Sequence, residues 1–159
     1  MASTVTASTL KVTISENIRL KGKQLGGSNT LSIASINEIS TRIMTITVAE
    51  CVVATFSAAV ASAGHYVAAN VRYMRFTNLD DTNFITLTFR NQDNDEAAIK
   101  LDAGQTFIWN ADNSGGLVDV LNATEDADAA SDTALGDLTN IQADANTGSC
   151  DLEVFIASV

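Results

Sequence analysis

FITLTFR, Phe84 to Arg90, is the stretch on which the fold turns. Ile85, Leu87 and Phe89 fall on one side of it, and Thr86, Thr88 and Arg90 on the other. A two-residue period of this kind belongs to a β-strand with one face on a core and one in water. The same grammar continues downstream. Ala97, Ile99 and Leu101 alternate with Ala98, Lys100 and Asp102, and Phe107 and Trp109 share a face shortly after. The segments between are built from turn residues: Asn78-Leu79-Asp80-Asp81-Thr82-Asn83, then Asn91-Gln92-Asp93-Asn94-Asp95-Glu96, then Asp102-Ala103-Gly104-Gln105. Asn and Asp side chains hydrogen-bond the neighbouring backbone and tolerate positive φ, so such clusters mark reversals between strands.

Toward the N-terminus, Leu10, Val12 and Ile14 alternate with Lys11, Thr13 and Ser15. A turn is expected at Ser15-Glu16-Asn17, after which Ile18 and Leu20 resume the pattern. Gly22 and Gly26-Gly27-Ser28-Asn29 mark loops, and a short strand starts at Thr30. Glu38 to Val48, rich in Ile and Thr, reads as a longer strand followed by Cys51 to Phe56. The Ala-rich run Ser57 to Gly64 predicts one short helix, and Val67 to Thr77 predicts extended chain. Leu117 to Leu121 is short and apolar, Asn122 to Asp137 reads as an exposed acidic loop, and Cys150, Leu152, Val154 and Ile156 form a final alternating strand. About nine or ten short strands separated by turn signals predict an all-β fold, an antiparallel β-sandwich of jelly-roll type with few or no helices. The predicted organisation is a flexible arm over residues 1–9 and a single domain over residues 10–159. The chain has no proline. Proline commonly protects edge strands, so these edges must be covered by charge, loops or a neighbouring subunit.

Composition narrows the function. Apolar residues make up 46% of the 159, enough for a real core, and charged ones only 18%. A net charge of −10 disfavours a nucleic-acid partner; Lys11, Arg19, Lys21 and Lys23 come closest to a basic patch and more often decorate a hairpin. The most apolar run, Cys51 to Ala63, is too short to cross a bilayer, and the N-terminus lacks the basic-then-apolar pattern of a secretory signal. Synthesis in a cytoplasm is expected, with Cys51 and Cys150 as reduced thiols. Two cysteines and a single histidine do not make a zinc site. Asp93 and Asp95 have the spacing that opens a calcium loop, but the sixth-position glycine and the closing glutamate are missing, so turns are the expectation there. Asp126, Asp128 and Asp132 read in the same way. His65 has no nucleophile elbow to serve, and Cys51 has no evident link to it. Trp109, Tyr66 and Tyr73 would form a sugar platform only if exposed; lone aromatics in a sandwich are more often core. No catalytic, cofactor-binding or metal-binding residue is assigned.

The segments FTNLDDTNFITLTF and AIKLDAGQTFIWN, with the early LKVTISENIRLKGKQLGGSNTLSIASINEI, resemble small virion structural proteins of tailed bacteriophages of marine and cyanobacterial type. The likeness is one of texture and carries over no functional residue. It implies a non-enzymatic β-sandwich component of the virion, most like a capsid decoration (cement) protein. Such a protein would be a homotrimer on the outer capsid surface, made in the host bacterial cytoplasm. It would bind the major capsid protein and clamp neighbouring capsid subunits, with no nucleic acid, membrane or small-molecule substrate as partner. The expected contact is the arm, with Ala2, Ser3, Thr4, Val5, Thr6 and Leu10. The competing expectations are a tail, fibre or collar component, a carbohydrate-binding adhesin with Trp109 or Tyr66 exposed, and a small hydrolase with His65 or paired carboxylates in a cleft.

Overall fold

The computed structural model describes residues 5–62, 64–123 and 135–159. Its strands run in the order β1 (Ser8–Ser15), β2 (Arg19–Leu20), β3 (Lys23–Gln24), β4 (Ser28–Ile36), β5 (Glu38–Ile46), β6 (Cys51–Ser57), β7 (His65–Val67), β8 (Val71–Asn78), β9 (Ile85–Asn91), β10 (Glu96–Leu101), β11 (Thr106–Asn110), β12 (Leu138–Ala145) and β13 (Cys150–Ser158). There is no α-helix among the described residues, only a 3-10 turn at Ala68–Asn70.

Two sheets make a sandwich. One has the order β10-β9-β12-β6-β7 and the other β11-β8-β13-β5. All pairings within them are antiparallel except β6 with β7. The alternation of FITLTFR has the expected result: Ile85, Leu87 and Phe89 are buried and join Phe76, Met74, Leu152, Val154, Ile156 and Ile141 in the inter-sheet core. The opposite face of the five-stranded sheet is polar, with Thr86, Arg90, Lys100 and Gln142, and an ion pair between Arg90 and Glu96.

The four-stranded sheet is apolar on both faces. Tyr73 on β8, Ile108 on β11, and Phe155 and Ala157 on β13 point away from the sandwich core. They are covered by a third layer, the hairpin of β1 and β4, through Leu10, Val12, Leu31, Ile33 and Ile36. A strand packed on both faces needs apolar residues at consecutive positions, which explains the run Val154 to Ala157. Asn37 alone joins β4 to β5, and its N–H donates to Ser158 O at 3.0 Å, so the chain folds directly from the outer layer into the sheet.

The structure departs from the sequence reading, or adds to it, at four places. Residues 57–62 form no helix; the chain uses them to double back and place β7 parallel to β6, with Thr55 opposite His65. The short apolar run Leu117 to Leu121 forms no strand; Leu121 makes an isolated bridge with Gly136, and Leu117 is a fully buried plug against the core. The reversal expected at Ser15-Glu16-Asn17 is absent. Pairing continues through it, with Glu16 N–H on Gly27 O at 2.8 Å and Leu25 N–H on Ile18 O at 3.0 Å, and the loop expected at Gly26-Gly27-Ser28-Asn29 is paired chain. The true turn is Lys21-Gly22, with φ of 47° and 80°. Positive φ at both central residues is the two-residue hairpin turn that matches the twist of its strands. Finally, β12 pairs on both sides near the middle of its sheet, although its inward residues include only small Ala143 and Ala145 beside Leu138 and Ile141.

Candidate interaction surface

The Asp-rich segments are turns, held by the Asn78, Asp80 and Asn91 side chains bonded to backbone. Asn78 ends β8 with no solvent exposure. Its side-chain amide donates to Asn83 O at 2.8 Å and Leu101 O at 3.1 Å, and its oxygen accepts Asp80 N–H at 3.0 Å. Asp80 then accepts N–H groups of Thr82 and Asn83 at 2.8 and 2.6 Å, which hold its carboxyl below the usual range, the Asn83 bond first. Asn91 repeats the device at the end of β9. Its oxygen accepts N–H from Asp93 and Asp95, both at 2.9 Å, and its amide donates to Asp95 and Leu121 O, both at 3.2 Å. Among the described residues no group of three or more His, Cys, Asp or Glu is placed to hold a metal ion. Asp126, Asp128 and Asp132 lie outside the described residues.

The candidate nucleophile and base do not meet. His65 stands opposite Thr55, four residues along β6 from Cys51 and roughly 13 Å away by strand rise. The concavity beside His65 is lined by Arg42, Val52, Val53, Ala54, Thr55 and Gly64, which supply no carboxylate or thiol. Cys51 and Cys150 are both free and lie in different sheets. Burial raises both thiols above their ordinary value, and nearby carboxylates add to it: Glu50 and Asp144 at Cys51, Asp80 at Cys150. The aromatic platform is also missing. Trp109 turns inward against Phe89 and Phe107, with ring centroids 5.5 and 6.5 Å away, and Tyr66 is buried against Phe56.

Among the described residues, seven of the eleven exposed large apolar side chains lie at the N-terminal hairpin and on β5; Val48, Val52, Val60 and Leu79 are exposed elsewhere. Val5, Ile14, Ile18, Leu20 and Leu25 are exposed on or beside the hairpin, and Ile39 and Ile43 on β5. Charge divides at the same boundary. Lys11, Arg19, Lys21 and Lys23 are opposed only by Glu16 up to residue 37, whereas every other acidic residue of the 19 follows. The molecule is a basic hairpin on an acidic body. Of the residues expected at the arm contact, Val5 and Thr6 are exposed, and with Leu10, Ile36 and Ile39 they line a groove of about 380 Å³. Leu10 is half-buried on the chain's own sheet, and Ala2, Ser3 and Thr4 lie outside the described residues. Sequence reasoning passed over Ile14 to Leu25 as contact residues. The signal was present: their alternation outlasts the point at which the body ends.

No family model and no curated protein matches this chain.

Proposed function

We propose that this chain is a non-enzymatic virion structural protein, a capsid decoration protein that binds the outer shell and clamps neighbouring subunits of the major capsid protein. The observation that carries the binding role is the distribution of apolar exposure. Most of it lies on the N-terminal hairpin and the adjoining β5 edge, while the concavity at His65 lacks converging reactive groups. The resemblance to small phage virion proteins supplies the partner class. The N-terminal segment, with Val5, Thr6 and Leu10 at its groove, is the shell contact. The acidic body faces outward, away from packaged DNA.

The mechanism is linkage. A protein that binds the assembled shell and not its separated subunits stabilises the shell by that difference in affinity. A homotrimer makes three such contacts at once, which multiplies a modest single-site affinity. The test is co-sedimentation with purified expanded phage shells. Binding at a constant ratio to the shell lattice is expected, with loss of binding on deletion of Ala2–Thr6. Protein that stays in the supernatant with shells but sediments with purified tails would replace this reading with a tail component. The inward Trp109 leaves the glycan-binding alternative without its platform.

A further inference from the structure

The hairpin of β1–β2 and β3–β4 is one ribbon in one register, from Leu10 opposite Ile33 to Leu20 opposite Lys23. Cross-strand partners share a face. One face is polar, with Lys11, Thr13, Ser15 and Arg19. The other carries Leu10, Val12, Ile14, Ile18 and Leu20 with Leu25, Leu31 and Ile33; Glu16 opposite Gly27 and Asn29 opposite Ile14 interrupt it, and Lys23 lies on it opposite Leu20. Its base, Leu10, Val12, Leu31 and Ile33, packs on the chain's own four-stranded sheet. Its distal half packs on nothing: Ile14, Ile18, Leu20 and Leu25 are 46%, 52%, 57% and 61% exposed. From Val12 to Leu20 the ribbon extends about 27 Å. A two-stranded ribbon is marginal in water by itself, yet this one is built with care. Its turn has the favoured geometry at Lys21-Gly22, and Gly26 sits where a Cβ would come within 1.9 Å of Glu16 O.

The surface that complements it is β5. This strand is a sheet edge of nine residues, long for an unprotected edge. Ile39 and Ile43 stand 58% and 63% exposed on the same outer face that the ribbon base covers over β8 and β13. Asp151 and Glu153 on β13 lie opposite Thr45 and Ile43 on that face; Glu153 is ion-paired with Arg75 at 2.8 Å, and Asp151 accepts the Thr45 hydroxyl at 3.0 Å. The ribbon tip carries Arg19, Lys21 and Lys23. We propose that the ribbon tip of one copy packs on the outer face of β5 in a second copy, continuing over the neighbour the contact that its base makes at home. Apolar residues meet apolar residues, and the basic hairpin meets an acidic body. The apolar side chains of the tip and the net charge of −10 favour a second copy of this chain over nucleic acid. Each chain has one donor tip and one acceptor strand, so the contact gives a two-fold dimer where it is exchanged reciprocally and a ring where it repeats with a closing rotation. The proposal does not depend on the virion reading.

The test uses the isolated full chain. Light scattering at micromolar concentration is expected to give an oligomer that weakens with added salt, because exposed charges are screened. Ile18→Asp with Leu20→Asp should run as a monomer that still unfolds cooperatively, with a thermal midpoint independent of concentration and lower than that of the oligomeric wild type only by the lost self-association. Pairing is read by mixing two single variants in a Cys51→Ser background, Leu20→Cys and Ile43→Cys. A disulfide between the two different chains is expected under mild oxidation. A monomeric wild type, an Asp double variant that stays oligomeric, or a mixture that fails to cross-link would each overturn the proposal. If the wild type is monomeric but the Asp double variant loses shell binding, the tip serves the shell and only the self-association is refuted.

Discussion

Replacing Asn78 by Ala asks whether the Asp-rich turns are structural in the sense described above. The side chain has no solvent exposure and makes three hydrogen bonds, to Asn83 O, Leu101 O and Asp80 N–H. Each intramolecular bond contributes about 1 kcal/mol net, and a buried partner left unsatisfied costs more. Leu101 O is the most enclosed of the three partners; the other two regain water more easily. The expected loss is about 2–3 kcal/mol, which for a domain of this size lowers the thermal midpoint by roughly 4–12 °C. Asn78→Asp separates shape from hydrogen-bond polarity. It keeps the acceptor for Asp80 but sets a carboxylate oxygen against two carbonyls, so at neutral pH it should be at least as damaging as Ala and should recover part of the loss in acid. Asp81→Ala is the control, because its exposed carboxylate accepts only from the neighbouring Thr82 hydroxyl at 2.9 Å, and it should stay within about 0.5 kcal/mol. Calorimetry or urea unfolding reads all three. An Asn78→Ala protein that melts with the wild type would refute the reasoning and return these turns to candidate ligand sites.

Two further predictions follow from the same chemistry. The carboxyls of Asp80 and Asp112 are held low by backbone N–H groups, of Asn83 and Thr82 in one case and of Ser114 in the other. A depressed folded-state value contributes stability above the unfolded carboxylate value of about 3.9 and loses it as pH falls through the folded one. Urea midpoints should therefore drop in strong acid, and less steeply for the Asp80→Ala, Asp112→Ala double variant; parallel curves would contradict this. Burial raises both thiols, so alkylation at neutral pH should be slow at Cys51 and should require denaturant at Cys150. Rapid labelling of Cys150 in the native protein would show that its strand opens.

The site was legible where polar residues answer to local rules. Asn78 and Asn91 each stand at the end of a strand, and turn chemistry alone accounts for their clusters. The enzyme readings depended on three-dimensional meetings that spacing does not encode. His65 and Cys51 lie fourteen residues apart in a small sheet, and only the parallel register of β6 and β7, with Thr55 opposite His65, separates them. Trp109 alternates correctly with Phe107, but the alternation does not say which face is inward. Phe89, across the sandwich, decides that.

The fold was legible where burial is one-sided and large side chains mark it. FITLTFR announces itself because one face carries Ile, Leu and Phe and the other Thr and Arg. β12 does not, because a strand in the middle of a sheet beneath bulky neighbours fills its remaining space with Ala143 and Ala145. Helical and strand patterns are both weak when the inward residue is Ala. The third layer left a different trace. Tyr73, Ile108, Phe155 and Ala157 break the expected polar face of their strands, and such breaks have a cause: something covers them. The ribbon base does so within the chain. Ile39 and Ile43 break the same face of β5 in the same way, yet among the described residues they stay exposed, while Ile18 and Leu20 prolong the covering ribbon past its own sheet. One apolar surface too many on the body and one on the ribbon, with a basic hairpin on an acidic body, is the pattern from which the contact between copies is proposed.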